Sequence, residues 1–205
     1  MKINILKNET YNSIDTLPKK GTSKSTGFDI VCTSGPLIVG EKAVLLKNTQ
    51  FWHHIDYIEY RTNLRMSIQN DKVLTWTVKD DKWVEIPIET NFHDVLLFPR
   101  SSISKYNLQL ANGVGLADND YSGEVLLRFN YVWNPMDFKI TKSKTVDEFG
   151  SNLSIVGTPN INKLYKKGDK ICQLKITKVE DVEFSLVDSL DITERNEGGF
   201  GSTGK

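Results

Sequence analysis

The sequence predicts an all-β fold. Apolar and polar residues alternate in many short runs, a pattern that puts the apolar side chains on one face of a strand. Glycine, proline and aspartate or asparagine pairs separate these runs and are typical of turns. Helical patterning is confined to a short stretch near residues 102–106. We therefore expect strands throughout the chain, with one short helix.

Length and charge limit the classes of function. A chain of 205 residues with 39% hydrophobic content can form one large β domain or two small ones. Its 26 basic and 26 acidic residues cancel, so we expect no broad electrostatic surface for nucleic acid or an anionic membrane. Any polyanion bound by this chain would therefore be small and held locally.

Cys32 and Cys172 are the only cysteines, and each lies in an apolar segment. No signal peptide or long apolar run is evident, so we expect a location in the cytosol. Two free thiols are the prediction for that reducing compartment, with a disulfide between them as the alternative.

The strands are predicted in order from the first residues. The run MKINIL forms the first strand, and TGFDIVCT puts Phe28, Ile30 and Cys32 on one face with Asp29 on the other. Two short strands surround Gly40. Strong strand patterning returns in EVLLRFNYVW and again after the Lys-Gly-Asp turn at residues 167–169.

A β-hairpin is predicted between residues 74 and 89, with its turn at Asp80 and Asp81. Pro87 indicates an edge position. Two apolar sets are expected to occupy facing sides: Leu74, Trp76 and Val78 in one strand, and Val84, Ile86 and Ile88 in the other.

The three histidines are His53, His54 and His93. The adjacent pair would point to opposite faces of a strand, and no cysteine or second spaced histidine accompanies it. The pattern therefore favours solvated or interface histidines over a structural zinc site.

The stretch from Pro99 to Glu124 carries the main candidate chemistry. Arg100 follows an apolar strand and precedes two serines at the start of the short helix, so it is suited to bind an anion. The glycines between Asn112 and Leu116 leave backbone edges open to a flat ligand. Asp118 comes directly afterwards and is the candidate general base.

Three other features need interpretation, and two of them have two readings. Asp29 is predicted as a turn or interface carboxylate from the residues alone. Gln173, a polar residue in an apolar strand, is either a satisfied amide of the sheet or a residue that faces a site. The Gly-rich terminal segment is either a frayed tail or a mobile lid whose amides wrap an anion around Phe200.

Five segments, in order, resemble the motifs of the trimeric deoxyuridine triphosphatases (dUTPases). They are TGFDI at residues 26–30, PRSS at 99–102, GLADNDYSGE at 115–124, GDKICQL at 168–174 and RNEGGFGSTG at 195–204. Together they cover 36 of the 205 residues. The resemblance implies a jelly-roll-like subunit, a homotrimer with sites between subunits, and closure of each site by a neighbour's C-terminal arm.

The implied reaction is hydrolysis of dUTP to dUMP and pyrophosphate, with Mg²⁺ bound through the triphosphate. The resemblance assigns catalysis to Asp118, Gln173 and Arg100, with Asp118 as the base that activates water. It assigns Asp29 a supporting electrostatic role near the metal. The implied substrate contacts are Ser101, Ser102, Asn112, Gly115, Leu116, Tyr121, Arg195, Phe200, Gly201, Ser202 and Thr203.

The resemblance implies one β domain over residues 1–194 followed by a flexible arm at 195–205. Intervals between the motifs that are longer than usual for the family indicate insertions at about 50–90 and 136–163. The insertions form a candidate surface for a protein partner. Two alternatives to dUTP hydrolysis remain: a dCTP deaminase-like or bifunctional nucleotide enzyme, and a regulatory binding protein. Arg128 holds the position of the deaminase glutamate, which argues against deamination.

Overall fold

The structure, a computed structural model, describes residues 1–13, 16–40, 42–46, 50–142 and 153–193, with side chains outside 41–54 and 140–156. Short strands dominate it. In chain order they are β1 (Lys2–Ile5), β2 (Lys19–Lys20), β3 (Phe28–Val31), β4 (Leu37–Val39), β5 (Lys42–Leu46), β6 (Gln50–His54), β7 (Tyr57–Tyr60), β8 (Met66–Gln69), β9 (Asp71–Lys79), β10 (Lys82–Thr90), β11 (His93–Pro99), β12 (Leu108–Leu110), β13 (Gly115–Ala117), β14 (Leu127–Tyr131), β15 (Phe138–Lys142), β16 (Leu153–Gly157) and β17 (Lys170–Lys178).

Two antiparallel sheets contribute to one hydrophobic core. The first has the order β13-β11-β17-β3-β2, and the second has the order β12-β14-β7-β4. Ile30 and Ile171 from the first sheet and Tyr60 and Phe129 from the second are fully buried. The Tyr60 and Phe129 rings meet edge to face at 5.8 Å. This confirms the expected all-β, jelly-roll-like architecture.

The predicted short helix is a 3-10 turn, Ser101–Lys105. Two further 3-10 turns occur among the described residues, Pro135–Asp137 and Ile161–Lys163. Within the described ranges, no helix is long and apolar enough to cross a membrane.

Both cysteines are buried and free. Burial raises the pKa of the Cys172 thiol to about 12 and also raises the pKa of Cys32, so neither thiol is reactive near neutral pH.

Strands β9 and β10 form the predicted hairpin, which we call the ribbon. Asp80 and Asp81 both have positive φ, 51° and 60°, as a two-residue type I′ turn requires. This turn pairs Lys79 with Lys82 and Val78 with Trp83. In that register the two predicted apolar sets lie on opposite faces of the ribbon, because directly opposed residues share a face. Both faces are exposed, with Trp76 at 61% on one face and Ile88 at 42% on the other.

The strands of the first predicted insertion belong to different sheets. Strand β7, within residues 50–90, lies inside the second core sheet between β14 and β4. Its Ile58 and Tyr60 side chains are fully buried in the core. Strand β6 instead joins β5, β15 and β16 in a separate sheet. The parallel bridge between Gln50 and Ile155 connects the two predicted insertions in that sheet.

The base of the second predicted insertion is anchored by a buried carboxylate. Asp137 is 4% exposed and accepts hydrogen bonds from the Tyr131 hydroxyl at 2.9 Å and the Asn134 amide at 2.8 Å. Gly157 packs tightly between Trp133 and Phe138. The base of this stretch is therefore buried against the rest of the domain.

Candidate active site

Arg100 follows β11 where that strand is paired with β17, and it begins the 3-10 turn that carries Ser101 and Ser102. Its Nε lies 3.0 Å from Oδ1 of Asp29. The two groups form an ion pair, although the N–H is not aligned well enough for a hydrogen bond. The side chain of Arg100 is about two-thirds buried, so its charge is held in a defined place at the strand end.

Two cations and one amide surround the carboxylate of Asp29, which is 8% exposed. Gln173 Nε2 donates to Oδ1 at 3.2 Å, and Lys170 Nζ lies 2.9 Å from Oδ2. Burial alone would raise the pKa of Asp29. Hydrogen bonds from Lys170 and Gln173 and the charges of Arg100 and Lys170 nevertheless hold this pKa below its ordinary value. The carboxylate is therefore an anionic centre that orients the cations around it.

A β-bulge in β17 explains how Gln173 reaches Asp29. Lys170 pairs with Val31 and Cys172 pairs with Ile30, so one extra residue, Ile171, is accommodated between them. Bulges change the direction of neighbouring side chains. Here Ile171 and Cys172 are both buried, while Gln173 is paired directly with Asp29.

A cavity of about 290 Å³ lies on the other side of β11. Five of the residues predicted from the sequence line it: Asn112, Gly115, Leu116, Asp118 and Tyr121. Gly115 permits the close approach of β13 to β11, because a Cβ at this position would lie 3.0 Å from the Cβ of Leu97. The cavity is thus bounded by backbone on one side and by the Asp118 loop on another.

The loop after β13 is held at its far end. The Tyr121 hydroxyl donates to the carbonyl of Glu124 at 2.9 Å. The Glu124 carboxylate accepts hydrogen bonds from the backbone amides of Thr62 and Asn63, at 3.2 and 2.9 Å. These bonds tie the loop to the segment after β7.

The Arg100 group and the Asp118 group lie at opposite ends of β11. Ala117 pairs with Val95 near the start of the strand, whereas Arg100 follows its last residue. With a rise of about 3.3 Å per residue, the two ends are roughly 20 Å apart. One copy of the chain therefore presents its candidate base and its candidate phosphate ligand as two separate half-sites.

Some site residues were not assigned from the sequence. Lys170 lies in the quoted GDKICQL segment, but its contact with Asp29 depends on the bulge. Arg128 lines the cavity with Glu124, and its Nε lies 2.9 Å from Glu59. The alternation of apolar and polar residues in β14 was the available signal for Arg128, since it predicts which side chains face away from the core.

The predicted arm residues Arg195, Phe200, Gly201, Ser202 and Thr203 lie outside the described residues, as do the side chains of His53 and His54. In the part of the chain that the structure describes, no three His, Cys, Asp or Glu side chains are grouped to hold a metal ion.

Comparison with known sequences points to one family. The family model described as dUTPase matches residues 154–204. A deoxyuridine 5'-triphosphate nucleotidohydrolase of Finegoldia magna is 33% identical over 113 residues, which are 55% of this chain and 61% of that protein. A protein with the same description from Desulfitobacterium hafniense is 40% identical over 109 residues, 53% of this chain and 55% of that protein. The match spans little more than half the length of these relatives.

Solved structures agree over a longer part of the chain. A dUTPase mutant of Staphylococcus bacteriophage 80alpha, solved with dUpNHpp, has a TM-score of 0.59 at 18% identity and covers 100% of this chain and 98% of that one. A dUTPase mutant from phage phi11 of S. aureus, described with a structural Mg(II) ion, has a TM-score of 0.54 at 17% identity, with 94% and 100% coverage. At these identities the likeness shows the fold.

The jelly-roll-like fold, the ordered motifs, the family-model match and the curated relatives all agree. The chain is thus similar to dUTPases in sequence, over about half of its length, and in fold.

Proposed function

We propose that this protein hydrolyses dUTP to dUMP and pyrophosphate, which would limit uracil incorporation into DNA and supply dUMP for thymidylate synthesis. The observation that carries the proposal is the cavity that Asp118 shares with Asn112, Gly115 and Tyr121. A carboxylate at the edge of a cavity with open backbone groups has the parts needed for activating water beside a bound nucleotide.

Uracil recognition is assigned to the backbone around Asn112 and Gly115. These main-chain groups offer donors and acceptors to the base edge, whereas cytosine would leave some of them mispaired, a penalty that gives strong discrimination. Tyr121 is held by its bond to Glu124 and is assigned to pack under the deoxyribose. Leu116 supplies apolar surface beside the base.

The phosphates are assigned to the half-site at the other end of β11. Arg100 supplies a fixed positive charge, and Ser101 and Ser102 supply hydroxyls at the start of the 3-10 turn. Gln173 and Lys170 are oriented by the same carboxylate as Arg100. Fixed charges of this kind stabilise negative charge that develops on the phosphates during the reaction.

Mg²⁺ is the proposed cofactor, bound mainly by substrate phosphates and water. Asp29 fits an indirect role, because Arg100 and Gln173 already contact one of its oxygens and Lys170 contacts the other. When bound, the ion would neutralise phosphate charge. The chain's own residues hold the triphosphate and position the water.

A homotrimer is the proposed assembly. The separation of Arg100 from Asp118 along β11 supports a site built from two copies of the chain. Residues 179–193 also support assembly, because they are irregular and carry exposed apolar side chains, including Phe184 at 93%. We further propose that residues 195–205 form the arm that closes each site, and that the protein acts in the cytosol.

The test is pyrophosphate release from dUTP, dCTP, dTTP and UTP, each with and without Mg²⁺. We expect turnover of dUTP that depends on Mg²⁺ and exceeds turnover of the others by orders of magnitude. Release of ammonia from dCTP would instead support the deaminase alternative. Equal turnover of all four nucleotides would contradict the assignment of the cavity to uracil.

A second role in binding a protein partner is proposed for the ribbon alone. Trp76 and Trp83 lie on its two strands with large exposed areas, and aromatic side chains of this kind are enriched in interfaces. If the role is separate from catalysis, replacing both tryptophans by serine will leave dUTP hydrolysis unchanged. Loss of hydrolysis in that variant would assign the ribbon face to the active site or its assembly.

A further inference from the structure

Asn119 is the residue after the candidate base. Both the nitrogen and the oxygen of its side-chain amide form hydrogen bonds. Its Nδ2 donates to the carbonyl of His93 at 2.9 Å and to Oδ1 of Asn70 at 3.0 Å. Its Oδ1 accepts from Nδ2 of Asn70, also at 3.0 Å. The Asn119 side chain is half-buried. Its orientation, and with it the backbone next to Asp118, is therefore fixed by three hydrogen bonds.

The Asn70–Asn119 pair is reciprocal, since each amide both donates to and accepts from the other. Only two primary amides can form such a pair. An aspartate at either position would lose one donor and place an acceptor against an acceptor. The pair thus depends on the residue type at both positions.

Asn70 belongs to the root of the ribbon. It is the single residue between β8 and β9, and its Nδ2 also donates to Oε2 of Glu89 near the end of β10 at 3.2 Å. Asn91, just beyond β10, donates to the Asp71 carboxylate at 3.2 Å. Asn70 is therefore a polar joint between the root and the Asp118 loop, whereas the Asn91–Asp71 bond lies within the root.

Asp118 depends on this joint for its position. Its side chain is exposed, and within the described residues it makes no hydrogen bond or ion pair of its own. The far end of the loop is held by Glu124. Ala117, the residue before Asp118, is held by its pairing with Val95, and Asn119, the residue after it, is held by its amide bonds. The location of the carboxylate is thus set by its two anchored neighbours.

We propose that Asn119 and Asn70 are positioning residues that hold Asp118 in line for water activation, so that the root of the ribbon contributes to catalysis without contacting the substrate. The proposal rests on the proposed dUTP hydrolysis. The ribbon then contributes to catalysis through Asn70 at its root, although its strands carry none of the five motifs.

The primary test measures kcat and KM of Asn70→Ala with dUTP. We expect kcat to fall roughly tenfold to a hundredfold, as small misplacements of a catalytic group do, while KM stays within about twofold. Asn91→Gly is the matched control. It removes the amide bond to Asp71 at the same root, and glycine accepts the positive φ of 53° at this position. We expect its kcat to remain within about twofold of wild type.

A double-mutant cycle separates the pair from general damage to the fold. If Asn70 acts through Asn119, the double variant Asn70→Ala/Asn119→Ala will have about the same kcat as Asn119→Ala alone. Fully additive losses would overturn the proposal, as would an Asn70→Ala variant with wild-type kcat.

Hydrogen exchange supplies a measurement that does not need turnover. Amides of residues 118–124 should exchange faster in Asn70→Ala than in wild type and Asn91→Gly, while β11 and β17 remain unchanged. A wild-type protein that hydrolyses no nucleotide would reject the proposed function, and the exchange comparison would still decide whether the pair fixes the loop. Unchanged exchange of the loop in Asn70→Ala would overturn the inference.

Discussion

Arg100 and Gln173 approach the same oxygen of Asp29, at 3.0 and 3.2 Å. Lys170 takes the other oxygen at 2.9 Å. A single buried carboxylate thereby fixes two cations and one amide that are proposed to bind phosphate. The arrangement makes Asp29 important for binding even though it need not touch the substrate.

We predict that Asp29→Asn raises the KM for dUTP about tenfold or more, because the cations lose their common anchor. Steady-state kinetics will measure this, with Asp188→Asn in the exposed segment after β17 as the control. A KM within twofold of wild type would contradict the anchoring role.

The same substitution should have a pH-dependent effect on stability. The pKa of Asp29 is lowered in the folded state, so its contribution is present above its unfolded pKa of about 3.9 and is lost as pH falls through the folded pKa. We expect Asp29→Asn to cost about 1 to 2 kcal/mol at pH 7, since Lys170 is half-exposed. The Tm difference from wild type should shrink below about pH 4.

We predict that Asp118→Asn abolishes turnover and leaves dUTP binding largely intact, because it removes the base but few substrate contacts. Calorimetric binding of a non-hydrolysable dUTP analogue and single-turnover kinetics will measure the two effects. Asp120→Asn makes the same charge change two residues away at an exposed position and serves as the control. If Asp118→Asn kept a tenth of wild-type kcat, its activation free energy would have risen by only about 1.4 kcal/mol. That loss would be too small for a general base.

Shortening the ribbon should preserve hydrolysis. Val73 pairs with Ile88, so removal of residues 74–79 and 82–87 leaves the Asp80-Asp81 turn between a matched pair and keeps Asn70. The removed residues face solvent on both sides, so we expect a folded protein with kcat within about twofold of wild type. If the shortened chain keeps its assembly but loses turnover, the distal ribbon must contribute to a site.

The C-terminal arm remains a prediction from the sequence. Truncation after Glu194 should leave the fold and assembly intact but greatly reduce kcat, because the arm is expected to exclude water and complete the phosphate contacts. Phe200→Ala should be milder, since the phosphate donors remain. Limited proteolysis should show protection of the arm only with a dUTP analogue and Mg²⁺ together, and equal cleavage with and without ligand would identify a simple tail.

The sequence predicted the local features of this fold well. The ribbon follows from alternation around Asp80 and Asp81, and the two short strands around Gly40 follow from a turn that glycine permits at a φ of 72°. The grouping of Asp118 with Asn112 and Gly115 was available through the motif resemblance. These predictions succeeded because each depends on neighbours that are close in sequence.

Long-range pairings could not be read from the sequence. The sheet that joins the two predicted insertions depends on a bridge between Gln50 and Ile155, and the role of β7 in the core depends on β14 and β4. Likewise, the contact of Lys170 with Asp29 requires the bulge at Ile171. The Asn70–Asn119 pair joins two polar residues that carry no periodic signal.

Strand β17 lies in the middle of its sheet, between β11 and β3, although it is the last strand of the described chain. During translation, β3 and β11 leave the ribosome with their facing edges unpaired. Synthesis at about 5 to 20 residues per second delays their common partner by several seconds after β11 has emerged. Unpaired strand edges attract other chains. We therefore expect chaperones to protect the nascent protein from aggregation until residues 170–178 have been made.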